Sequence, residues 1–176
     1  MNSPMPNIPN RRKAVRELRD WLLTIPFTHF ITFNFNRQAT HKSATNALRK
    51  WHAGIDRRML GRHFNKLDAS NRTFFWAFFE HAETNLHAHA LVICHKAEFN
   101  DLAQAVWKCV IPSGTLDISR DLTEMTQFLK QPEIVEQYYN TQAQRDLQNI
   151  VSYVLKEQWK DVAYDSFLCS SMFLPK

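Results

Sequence analysis

A chain of 176 residues, 44% hydrophobic and 22% charged, has the length for one buried core and the composition of an ordinary globular domain. Its net charge of +5 is uneven: residues 1–74 carry 14 Lys/Arg against 4 Asp/Glu, whereas residues 75–176 carry 8 against 13. No apolar run approaches the roughly 20 residues of a membrane span. The odd, scattered Cys94, Cys109 and Cys169, without a CxxC pair, argue against a disulfide framework or a zinc knuckle and point to a reducing cytoplasm.

The opening MNSPMPNIPNRRK lacks the apolar stretch of a signal peptide. Pro4, Pro6 and Pro9 interrupt regular structure there. Residues 1–10 are therefore expected to be disordered and 11–176 to form a single domain. Val15, Leu18 and Leu22 predict an amphipathic helix from Arg11 to about Leu23, stopped by Pro26. Alternating Ile31, Phe33 and Phe35 predict a strand over 27–35.

A long helix over about 43–64 follows, with Ala44, Leu48, Trp51 and Ile55 as its buried stripe. Arg49, Lys50, Arg57 and Arg58 lie off that stripe. They are the expected contacts to a polyanion, because the excess positive charge falls in this half of the chain.

The nearly all-apolar TFFWAFFE (73–80) predicts a strand covered on both faces. HAETN provides a turn into a second strand, LHAHALVIC (86–94). A helix near 97–110, a short strand over 115–118, a helical stretch near 132–141 and a strong helix over about 143–159 complete the reading. The order of elements predicts an α+β fold with a central, mostly antiparallel sheet flanked by helices. No GxxxxGK[ST] loop occurs, so no nucleoside triphosphate partner is expected.

His87 and His89 are two apart on a predicted strand, so both rings leave the same face and could grip a metal ion. If the turn is 82–85, Glu80 sits opposite His87 on that face and offers a third ligand. Glu83 or Gln148 could take that place instead, and His81, nearer the turn, is less favoured. The bland reading of the same pair is two histidines hydrogen-bonded on a polar sheet face.

In DLQNIVSYVLKEQW, Leu147, Ile150, Val151, Val154 and Leu155 form one apolar stripe. Asn149, Tyr153 and Lys156 fall on the other side, so Tyr153 is not placed as a core tyrosine. A lysine one turn from it can pair with phosphate.

Together these features resemble the HUH endonucleases, in particular single-tyrosine replication initiators and related transposases. The resemblance rests on Leu86-His87-Ala88-His89-Ala90 and Tyr153-Val154-Leu155-Lys156, with ITFNFN (31–36) as a looser first motif. It implies an HUH nuclease-like fold: a five-stranded antiparallel sheet, the histidines on a central strand and the tyrosine on a neighbouring helix. It further implies Mg²⁺ or Mn²⁺ on His87, His89 and Glu80, with Tyr153 and Lys156 as catalytic residues.

The implied partner is single-stranded DNA, at an origin or hairpin, and the implied role is initiation of rolling-circle replication of a plasmid or phage. Transposition by the same chemistry is the alternative within the family. Two-tyrosine members carry a second tyrosine one turn away, where this chain has Asn149 and Glu157; Tyr138 and Tyr139 precede the helix. No helicase segment follows the tyrosine, which points away from a multidomain initiator. A non-catalytic DNA-binding regulator would explain the charge asymmetry but leaves His87, His89 and Tyr153 without a role.

Overall fold

In the computed structural model, the described residues are 8–35, 39–80, 85–94, 124–127, 146–156 and 166–174. The first helix, α1, runs Ile8–Leu22 and so begins three residues earlier than the prolines suggested. Pro9 sits in its first turn, where an amide N–H has no helical acceptor to lose. Val15 and Leu22 are buried, and Leu18 packs at the edge of the same cluster. After the helix, the Thr24 hydroxyl donates to the Trp21 carbonyl.

Strand β1, His29–Asn34, alternates buried and partly buried residues without a break. Helix α2 spans His41–Leu60. The expected start at 43 is wrong because a capping box at Thr40 and Ser43 satisfies the first backbone amides. The expected end at 64 is wrong because Gly61, at φ 87°, donates its N–H to the Arg57 carbonyl and closes the helix. Its stripe of Ala44, Leu48, Trp51 and Ile55 is fully buried.

Strands β2 (Phe74–Glu80) and β3 (His87–Ile93) form the antiparallel hairpin, with Glu80 paired to His87. Two further strands were not read from the sequence: β4, Glu124–Gln127, and β5, Phe167–Cys169. Between them lies α3, residues 146–154. The strand predicted at 115–118 and the helices predicted near 97–110 and 132–141 lie outside the described residues.

The fold is α+β. Its sheet has the order β4-β1-β3-β2-β5, and all neighbours run antiparallel. Alternation along the strands gives the sheet two apolar faces, and a different set of helices covers each. On one face α2 packs against Ile31, Phe33, Phe75, Ala77, Phe79, Ala88, Ala90 and Val92. On the other, α1 and α3 pack against Phe78, Leu91 and Ile93, bordered by Phe30, Phe74, Trp76 and Phe167.

A buried polar staple ties α2 to the start of β2. Arg72 Nε donates to Asp56 Oδ2 at 2.8 Å, the Thr73 amide donates to Asp56 Oδ1 at 3.0 Å, and His52 Nε2 lies 2.6 Å from the Thr73 carbonyl. Among the described residues, no helix is long and apolar enough to cross a membrane.

Candidate metal centre

The antiparallel register puts His87 directly across from Glu80, and His89 follows two residues later on the same face. That face is the one covered by α1 and α3, so α3 reaches the histidines from above. Glu80 Oε2 lies 3.5 Å from His87 Nε2 and 3.6 Å from His89 Nε2. Donor atoms of Glu80, His87 and His89 all fall within 4.8 Å of one another.

Each imidazole has its other nitrogen engaged. His87 Nδ1 lies 3.1 Å from the Asn85 carbonyl, to which it donates, so Nε2 is the ring nitrogen turned toward the carboxylate. His89 Nδ1 lies 2.9 Å from Thr32 Oγ1 on the neighbouring strand. Outer partners of this kind fix the ring orientation and tautomer of metal-binding histidines. Phe30 stacks on the His89 ring at 5.6 Å, and the Tyr153 ring meets it edge-on at 4.9 Å.

Glu80 is 2% exposed. Burial alone would raise its pKa, but His87, His89 and Lys156 together hold the carboxyl well below the usual carboxylate range. The Glu80 carboxylate in turn raises His87, against the opposing effect of burial. Lys156 Nζ lies 3.0 Å from Glu80 Oε2 and 3.9 Å from the centre of the Tyr153 ring. Burial tends to lower the Lys156 pKa, but Glu80 and Tyr153 outweigh it and keep the ammonium charged.

The donor set fits a cation. Glu80 Oε1 and His89 Nε2 are buried and have no hydrogen-bond partner among the described residues. An acceptor oxygen and an imidazole nitrogen left so in a dry site are costly unless something positive satisfies both. A carboxylate with two imidazoles suits several divalent ions, so the donors do not select one.

Of the residues expected in the site, Glu80, His87, His89, Tyr153 and Lys156 come together. Tyr153 is 45% exposed, yet it does not point away from the sheet: it lies along the rim of α3's buried side, over His89. Of the alternative third ligands, Gln148 is exposed on α3, while His81 and Glu83 lie outside the described residues. Asn149 is exposed, and Glu157, Tyr138 and Tyr139 lie outside the described residues.

The four α2 cations are not brought to the site. Arg49, Lys50, Arg57 and Arg58 are exposed, but α2 covers the opposite sheet face. The sequence reading missed Thr32 and Phe30, although two-residue alternation along FITFNF (30–35) already put both on one face. It also missed the cations of α1. IPNRRKAVRELRDWL carries five Arg/Lys against two acids, and this helix lies on the same side of the sheet as the site.

Comparison with family models, curated proteins and solved structures finds no match to this chain.

Proposed function

We propose that the chain is a metal-dependent endonuclease that cuts single-stranded DNA and holds the cut end on Tyr153. One observation carries the reading: a half-exposed tyrosine is packed on His89 of a buried Glu80–His87–His89 set, beside a lysine that reaches both. Hydrogen-bonded sheet histidines alone do not account for a carboxylate oxygen and an imidazole nitrogen left without partners at the same point. A core role does not account for a tyrosine 45% exposed above them.

In this reading His87, His89 and Glu80 would hold Mg²⁺ or Mn²⁺, which would supply Lewis-acid polarisation of a phosphate oxygen. Thr32 and the Asn85 carbonyl keep Nε2 of His89 and of His87 turned toward Glu80. Tyr153 Oη forms a bond to phosphorus as the bond from phosphorus to the 3′ oxygen breaks. The phenol gives up its proton and the leaving 3′ oxygen gains one, so the step yields a 5′-phosphotyrosine and a free 3′-hydroxyl. Lys156 offers positive charge to the phosphoryl oxygens.

One phosphodiester replaces another, so the reaction runs in both directions without a nucleoside triphosphate and serves strand transfer as well as cutting. Rolling-circle initiation on a plasmid or phage is the role we assign to this chemistry, with transposition the related use.

The test is a pool of single-stranded oligonucleotides incubated with Mn²⁺ and resolved on a denaturing gel. The expected result is a covalent protein–DNA adduct whose peptide map places the nucleotide on Tyr153. Tyr153→Phe removes one hydroxyl with little change in packing, so adduct and nicking should vanish together while the strand stays bound. An adduct on Tyr138 or Tyr139, full nicking by the Phe variant, or nicking undiminished in EDTA would overturn the reading.

A further inference from the structure

On the sheet face that carries the candidate metal centre, α1 and α3 enclose an open groove of about 260 Å³ lined by Arg16, Arg19, Ser152 and Leu155. Arg16 and Arg19 are three apart on a helix, which puts both guanidiniums on one side of α1. Ser152 immediately precedes Tyr153, and Leu155, 1% exposed, is buried in the cluster that joins α1 to α3. Two planar donor forks and a hydroxyl at one groove make a pattern that binds tetrahedral oxyanions, since each fork can meet two phosphate oxygens at once.

Little competes for these charges. Arg19 Nη1 is 3.8 Å from the Asp20 carboxylate, an exposed contact of small energetic weight. Arg16 has no ion pair among the described residues. Among the described residues, no hydrogen bond engages either guanidinium.

We infer that this groove holds a backbone phosphate of the bound single strand. The inference rests on the nicking reading for the identity of the strand. It replaces the exposed face of α2 with the α1–α3 groove as the track for bound DNA, because only the latter lies on the site's side of the sheet. Among the described residues the groove has no aromatic lining, so the contact is with backbone and independent of sequence.

The test compares two double variants, Arg16→Ala/Arg19→Ala and Arg16→Lys/Arg19→Lys, in the full chain carrying Tyr153→Phe so that the strand stays intact. Affinity for a single-stranded oligonucleotide is measured across a salt series. Each phosphate contact contributes about 0.7 to the slope of log affinity against log salt, so the alanine pair, which loses the one phosphate held in the groove, should lower the slope by about 0.7. Affinity at low salt should fall about tenfold or more. The lysine pair keeps the charge but not the forks, so it should restore most of the slope and only part of the affinity.

A methylphosphonate walked along the oligonucleotide should weaken the Arg-bearing protein at one position and leave the alanine pair indifferent there. Unchanged affinity and slope in the alanine pair, or losses of equal size at every neutralised phosphate in both proteins, would overturn the groove. A Tyr153-bearing chain that forms no adduct would remove nicking alone, because the binding comparison is read on uncut strands and decides the groove by itself.

Discussion

A carboxylate that is 2% exposed and still ionised must be matched by nearby positive charge, and Glu80 has three groups in reach that can supply it. Lys156 is the nearest, so the same side chain balances Glu80 and covers the Tyr153 ring. This gives the two residues separable effects. Glu80→Gln keeps the shape of the side chain and loses its charge. Because even outer partners of metal ligands are worth roughly 10–100-fold in affinity, a ligand itself should cost more, and Mn²⁺ affinity by titration calorimetry should fall at least about 100-fold. Undiminished Mn²⁺ binding would remove Glu80 from the ligand set. Lys156→Ala leaves the donors in place, so Mn²⁺ should still bind. The rate of adduct formation should fall about 10²-fold, the loss typical of one electrostatic stabiliser. A rate within about twofold of the parent chain would limit Lys156 to balancing Glu80.

Helices α1 and α2 each have a charged outer side, but the sheet decides which of those sides a strand bound at Tyr153 can touch. Helix α2 turns its stripe to the sheet face carrying Ile31, Phe33 and Phe75, whereas the candidate metal centre lies on the face carrying Phe30, Phe78 and Leu91. Replacing Arg49, Lys50, Arg57 and Arg58 together by alanine should therefore leave the salt slope of single-strand binding nearly unchanged, with at most a small loss from the weaker long-range field. A slope lowered by roughly 3, the value for four lost phosphate contacts, would put the strand on α2 after all. Arg49 also packs over the Phe173 ring at 5.4 Å, so part of the effect of its removal is structural and should appear as a lower Tm.

For the molecule as a whole, the sheet buries titratable groups that have no part in the site. His29, at the start of β1, is 4% exposed, with Nδ1 2.8 Å from Thr28 Oγ1. Burial pushes its pKa down to about 4. The unfolded chain takes up this proton near its ordinary value of 6.5, while the folded protein refuses it until about pH 4. Stability is thus full above about pH 6.5 and is lost as the pH falls toward 4. Between about pH 7.5 and 4.5 this one group should account for about 2–3 kcal/mol of lost unfolding free energy. His29→Gln removes the titration. Urea unfolding at the two pH values should show the smaller loss in the variant, and equal losses in both proteins would exclude His29 as the cause.

Local periodicity was enough to place much of the metal centre. The two-residue repeat set His87 and His89 on one face, and the length of the intervening turn set Glu80 across from His87, as the observed register has it. The apolar stripe of the last helix likewise left Tyr153 and Lys156 off its buried line. These are properties of neighbours in sequence, which strand and helix geometry convert directly into direction. Helix ends were less well read, since the start and stop of α2 depend on the hydrogen bonds of Thr40, Ser43 and Gly61 rather than on hydrophobic spacing.

Other features depended on partners distant in the chain. Strands β4 and β5 are four and three residues long, too short to show a period, and exist as strands through pairing with β1 and β2. Thr32 meets His89 across 57 residues of sequence. Above all, a stripe of apolar residues shows that a helix packs on something but not on which side of the sheet, because either face can bury it. Only the tertiary structure put α2 on one side of the sheet and α1, with its cations, on the side that carries Tyr153.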